Sequence, residues 1–178
     1  MIAPHLTLLA SSVPTKQELD TRIRQLELAL EGYAPVDQPI IGIGHSIGTV
    51  ALLVLAGAEA RTLSGHKVVS GSNWKFERLA LLAPPADFFR HPGALQSVDV
   101  RMYIRAGGKD SVTPPAQAIG LSEILAKQTQ VELCLDEDAG HFTYMDELPP
   151  HIVDPQPDRN AFLSALAKDV AHFATSWR

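Results

Sequence analysis

The stretch Pro39-Ile40-Ile41-Gly42-Ile43-Gly44-His45-Ser46-Ile47-Gly48-Thr49-Val50-Ala51-Leu52-Leu53-Val54-Leu55 decides the fold. Residues 39–44 are short, β-branched and uncharged, the composition of a buried strand. Residues 47–60 are apolar on nearly every side, as a helix buried at the centre of a domain must be. Between them stands Gly44-His45-Ser46-Ile47-Gly48, a serine at a strand-to-helix turn flanked by two glycines. So tight a turn leaves no room for side chains against the neighbouring strand and helix, and glycine has none. The start of the helix brings backbone N–H groups and a positive dipole end beside the hydroxyl. A serine held this way is a nucleophile candidate, with the Ile47 N–H directed at an oxyanion. The plainer reading makes Ser46 a helix N-cap, which accounts for the serine but not for both glycines.

Outward from this turn, short apolar runs alternate with longer amphipathic ones. Residues 6–10 read as a strand. Leu19, Ile23, Leu26, Leu30 and Tyr33 then recur at helical spacing and predict a surface helix ended by Gly32 and Pro35. Residues 79–83, 98–104 and 131–135 read as three further strands. Residues 113–127 read as a helix entered through Pro114 and Pro115. Phe162, Leu163, Leu166, Val170, Phe173 and Trp177 predict a closing amphipathic helix. The expected fold class is α/β, a three-layer sandwich with a parallel sheet of about five strands flanked by helices. One domain over residues 1–178 is expected. Residues 61–78 lose periodicity and are either a small lid anchored by Trp74 or, preferably, a plain connection.

Composition excludes several functions. The chain has 178 residues, 46% of them hydrophobic and 20% charged, which suits an ordinary globular protein. The net charge of −5 is dispersed, so neither nucleic acid nor an anionic membrane finds a basic face. The single cysteine, Cys134, rules out an internal disulfide and is expected to be a small buried core residue. His66, His91, His151 and His172 lack ligand-like spacing, so no metal is assigned. No run approaches the roughly 18 apolar residues of a membrane span, and the N-terminus lacks the basic region of a signal peptide. A cytoplasmic location is expected.

A serine hydroxyl needs a base. His141, in Asp138-Ala139-Gly140-His141-Phe142, follows the strand 131–135 after a short loop. Parallel strands end at one edge of the sheet, so His141 reaches the edge that carries Ser46. An acid must orient the imidazole and stabilise its cation. Asp110 follows the strand 98–104 in Gly107-Gly108-Lys109-Asp110, where two glycines let the chain turn back. Its plainer role is a turn or N-cap aspartate. Asp87 is the rival acid; Asp136, Asp138 and Asp146 lie too near His141 in sequence to be preferred. His45, Phe88 and Phe142 are the candidate substrate contacts. For His45 local packing is the commoner role, and for the two phenylalanines local core is an equal alternative. Phe89, Tyr144 and Met145 fall on the same loops.

These residues resemble the α/β-hydrolase superfamily, and within it the dienelactone-hydrolase-like and small carboxylesterase-like members. Four segments carry the likeness: Gly44-His45-Ser46-Ile47-Gly48, Leu79-Ala80-Leu81-Leu82-Ala83-Pro84, Gly107-Gly108-Lys109-Asp110 with Thr113-Pro114-Pro115, and Ala139-Gly140-His141-Phe142. The resemblance covers residues 39 to 178. It implies hydrolysis of an ester, thioester or related acyl bond of a small-molecule substrate through an acyl-enzyme, with no metal or organic cofactor. The chain order Ser46, Asp110, His141 agrees with it. The chain departs from the pattern at its N-terminal side. Such enzymes place several strands before the elbow and a Gly-rich loop that supplies a second oxyanion donor, whereas here one strand is expected. Three readings stay open: a chain that starts late in a longer gene, a reduced member taking its second donor from near Ser11 and Ser12, or an impaired or non-catalytic binding protein on a hydrolase scaffold. Absent first strands leave a sheet edge open, so a homodimer that covers it is expected.

Overall fold

The computed structural model describes every residue except Ser12, Val36, Trp177 and Arg178. Four parallel strands form the main sheet: β1 (Ile40–His45), β4 (Phe76–Leu82), β5 (Arg101–Gly107) and β6 (Val131–Asp136), in the order β1-β4-β5-β6. Between β1 and β4 in the chain, β2 (Ala60–Arg61) and β3 (Lys67–Val68) pair as a separate two-residue antiparallel ladder. The helices are α1 (Lys16–Tyr33), α2 (Ile47–Leu55), α3 (Pro115–Leu125) and α4 (Arg159–Thr175).

Strand alternation sorts the core into two faces. Leu79 and Leu81 of β4 and Met102, Ile104 and Ala106 of β5 pack in one cluster with α1, α2 and α3. Ala80, Leu82 and Tyr103 point the other way, against Leu166, Val170 and Phe173 of α4. The layers are therefore helices, parallel sheet, helix. Each main helix matches its sequence signal. Thr15 caps α1 through a reciprocal pair with Glu18. Pro115 stands in the first turn of α3. Residues 49–55 of α2 are all buried, and the helix stops at Leu55 rather than at residue 60, with Gly57 at φ +104° just beyond.

Several expectations are corrected. Among the described residues the sheet has four strands, because residues 6–10 form none. That segment lies along α1 instead, with Thr7 exchanging hydrogen bonds with Gln25 and the Ala10 N–H bonding Glu18. The strand read at 39–44 is half exposed. It is the sheet's edge, and only its Gly42 and Gly44 side meets Leu52 of α2, so Ile43 on the opposite side is 57% exposed. Cys134 is half-buried for the same reason, since β6 is the other edge. Tyr33, read on the buried stripe of α1, is 77% exposed at the helix's last residue. Trp177 lies outside the described residues. In residues 61–78, the Trp74 backbone N–H bonds Leu55 O at the end of α2 remote from Ser46.

The strand ends on the Ser46 side are drawn together by Gly107 and Gly108. A Cβ on Gly107 would stand 2.2 Å from Ala139 O, and one on Gly108 2.5 Å from Glu137 O. The two glycines thus let the loop after β5 pack against the loop after β6, with the Lys109 N–H bonding Ala139 O. Backbone atoms cannot step aside as a flexible side chain would. Gly107→Ala is expected to lower stability by at least about 1–3 kcal/mol, in the range of overpacked interiors. Chemical denaturation of the variant against the parent measures it; an unchanged midpoint would contradict this packing.

Candidate active site

Ser46 joins β1 to α2 with φ 51° and ψ −126°, a conformation that L-residues rarely adopt. Three contacts hold it there. The Ser46 N–H bonds Leu82 O on β4 at 2.9 Å. Ser46 O accepts from the Thr49 N–H at 2.9 Å and from Thr49 Oγ1 at 2.7 Å. On Gly44, a Cβ would come within 2.9 Å of Leu52 Cδ1 and 3.1 Å of Gly48 C, so the expected close approach is real there. Gly48 differs, because a Cβ on it would meet nothing within 4 Å. The N-cap alternative also fails. The Ser46 side chain makes no capping bond, and its Oγ lies 2.9 Å from His141 Nε2.

His141 opens the 3-10 turn His141–Tyr144 that follows β6. Its ring is oriented from behind: Nδ1 is 2.8 Å from Asp110 Oδ2 and 3.1 Å from Thr113 Oγ1. A carboxylate only accepts, so the proton sits on Nδ1, leaving Nε2 free to accept from the Ser46 hydroxyl. Asp110 is 4% exposed and fully engaged. Its Oδ1 accepts from the Val112 and Thr113 N–H groups and its Oδ2 from Thr113 Oγ1. The turn role and the orienting role thus coexist in one carboxylate. Burial works to raise the Asp110 carboxyl, but the bonds from His141 and Thr113 outweigh it and hold the group below its ordinary range.

The turn carrying His141 is anchored on several sides. The Gly140 N–H bonds Thr143 Oγ1, which donates to Asp154 Oδ1 at 2.6 Å. Arg159, at the start of α4, pairs with Asp154 and donates to the carbonyls of Met145 and Asp146. Tyr144 Oη donates to Asp136 Oδ2 at 2.7 Å. Asp136 is in turn clamped by the buried Arg105 guanidinium, which also reaches Asp169 and Tyr103. Burial and the adjacent Asp136 push the Tyr144 phenol well above its usual range, so it stays a donor.

The remaining candidates divide. His45 is half-buried, and its Nε2 is 2.8 Å from the backbone oxygen of His141. Phe142 stands edge-on to the His141 ring, centroids 5.0 Å apart. Phe88 is 5% exposed in the main core, which leaves little of its ring for a ligand. Asp87, the rival acid, is paired with Arg90 at the surface rather than with His141. Ile47 is the first residue of α2, so its N–H belongs to the free turn beside Ser46. Thr113, Thr143, Asp154, Arg159 and Arg105 were not singled out by sequence. Among them Thr113 lay within reach of a local signal, since an Asx-type turn at Asp110 bonds the main chain just ahead of it. Among the described residues no three His, Cys, Asp or Glu side chains cluster to hold a metal ion, and no helix is long and apolar enough to cross a membrane.

Neither a protein-family model nor a curated protein matches the sequence. Solved structures do match the fold. A protein of unknown function from Agrobacterium tumefaciens, described as a candidate α/β hydrolase, aligns with a TM-score of 0.58 at 15% identity over 96% of this chain and 63% of its own. An esterase from Pyrococcus furiosus gives 0.58 at 14% identity over 90% and 62%. Thermogutta terrifontis esterase 2, solved phosphonylated by cyclosarin, gives 0.55 at 13% over 92% and 65%. At such identities the likeness establishes the fold: the chain has an α/β-hydrolase-like fold and spans less than two-thirds of each of these three proteins.

The depressed Asp110 carboxyl has a consequence for pH. A carboxylate held lower in the folded than in the unfolded chain contributes stability above its unfolded value of about 3.9, and that contribution is lost as pH falls through the folded value. Stability is therefore expected to fall on acidification below about pH 4, with a shallower acid limb in Asp110→Asn. Urea denaturation of both proteins across pH 2–6 reads this, and identical acid limbs would count against it.

Proposed function

We propose that this chain is a serine hydrolase that cleaves a carboxylic ester, thioester or related acyl bond of a small molecule through an acyl-enzyme on Ser46. The observation that carries this reading is the continuous relay from Ser46 Oγ to His141 Nε2 at 2.9 Å and from His141 Nδ1 to Asp110 Oδ2 at 2.8 Å. Both distances lie in the range a positioned nucleophile and base require. The esterases of similar fold support it as a scaffold for such chemistry.

In this mechanism Ser46 Oγ attacks the acyl carbon while its proton passes to His141 Nε2. Asp110 keeps the ring in the Nδ1–H tautomer and stabilises the imidazolium, and Thr113 holds Asp110. The Ile47 N–H donates to the developing oxyanion. Collapse breaks the bond to the leaving group, which takes the proton from His141. Water then gives a proton to His141 as it attacks the acyl carbon, and that proton returns to Ser46 as the acid leaves. No cofactor enters the scheme.

One observation favours a second reading, a binding protein on a hydrolase scaffold. β1 is the terminal strand of the sheet, so among the described residues no strand flanks Ser46 on the side away from β4. A second oxyanion donor from a neighbouring strand's loop is then not supplied there.

A fluorescent fluorophosphonate separates the two. The parent is expected to label, and Ser46→Ala and His141→Ala to fall to background, since removing a triad member costs roughly 10⁶-fold in related chemistry. Labelling should be followed by turnover in an ester and thioester panel. A folded parent that never labels would support the binding-protein reading.

A further inference from the structure

We propose that His45 is a positioning residue that holds His141 against Ser46 by bonding the base's own backbone carbonyl. The proposal rests on the reading of Ser46 and His141 as nucleophile and base.

The alternation of β1 places His45 on the same side as Ile41 and Ile43, away from α2, where the His141–Tyr144 turn passes. The contact from His45 Nε2 to His141 O is 2.8 Å and joins residues 96 positions apart. A carbonyl oxygen only accepts, so His45 carries its proton on Nε2. The groups facing its ring are the His141 ring, 4.9 Å away, and the Tyr144 ring, 6.2 Å away, with Asp110 beyond His141. Burial holds the His45 imidazole below its ordinary range, so the ring stays neutral near pH 7.

The neighbours of His141 divide the labour. Asp110 and Thr113 orient the ring through Nδ1. His45 fixes the main chain from which the ring hangs, and does so from the residue directly before the nucleophile. One short hydrogen bond thereby ties the two backbones together directly, in addition to the contacts that anchor the His141 turn from its other sides. A displacement of about 1 Å between reacting groups can cost roughly 100-fold in rate. His45 needs no contact with substrate for this role. The role requires a donor at that reach, whereas packing alone would require only ring volume.

That difference supplies the test. His45→Phe keeps an aromatic ring and removes the donor, while His45→Gln restores an amide donor of similar length. His45→Asn, whose shorter amide falls short of His141 O, serves if the Phe variant does not fold. Thermal unfolding checks that each variant is native. Fluorophosphonate labelling rates are expected to fall up to roughly 100-fold in Phe and Asn and to recover in Gln to within a few-fold of the parent. Independently of any reaction, the downfield Nδ1–H proton of His141 is followed by NMR. It is expected to broaden or shift in Phe and Asn and to keep its parental position in Gln. Phe or Asn variants that match the parent in this resonance would overturn the proposal. A parent that does not label would refute the hydrolase reading, and the His141 resonance would still decide the role of His45.

Discussion

The backbone of Ser46 is the constraint on which the site depends. A non-glycine residue at φ 51° and ψ −126° costs on the order of 1–3 kcal/mol, so the surroundings must over-determine it. They do so from three directions: β4 through Leu82 O, α2 through Thr49, and the packing of Gly44 on Leu52. The fully buried α2 holds the turn shut, because relaxing Ser46 would shift a helix whose residues 49–55 have no exposed face. Strain of this kind also frees the hydroxyl. In an ordinary N-cap the serine oxygen is spent on a helix N–H; here it is left for His141.

A second dependence runs through charge. Arg105 sits on β5 with its side chain 8% exposed and its guanidinium bonded to Asp136, Asp169 and the Tyr103 hydroxyl. Burial opposes the charge, yet Asp136 keeps the guanidinium firmly protonated. Removing one partner of such a pair typically costs about 3–5 kcal/mol, because the other charge is stranded. Since Asp136 ends β6 and also accepts from Tyr144, the pair ties β5, the end of β6 and the turn carrying His141 into one unit. Asp169 brings α4 into the same unit. The position of the candidate base is therefore set by the same buried charges that fasten the last helix to the sheet.

Much of this was legible in the sequence, and what was not has physical causes. Ser46, Asp110 and His141 were readable because each follows an apolar strand signal with turn residues, and parallel strands deliver their ends to one edge. Residues 6–10 misled because a short apolar run has no periodicity to separate strand from extended chain, and here the run is held by Gln25 and Glu18 of α1. Ile43 misled because β-branched residues mark a strand but not its neighbours; its exposure follows from sheet order, which is non-local. The supporting groups, Arg105, Asp154 and Arg159, carry no local pattern. Their oppositely charged partners lie 5 to 64 residues away, and only the fold brings them together.

Within the hydrolase reading, the site's two halves have different foundations. The proton relay is complete within the described residues: Ser46, His141, Asp110 and Thr113 are linked by bonds of 2.8–3.1 Å. The electrostatic half rests on the first N–H groups of α2, because β1 is a terminal strand and Gly48 faces open space. Losing one oxyanion donor costs about 10²–10³ in rate, whereas losing the orienting acid costs roughly 10⁴. Within that reading, a relay complete among the described residues keeps the larger of the two contributions.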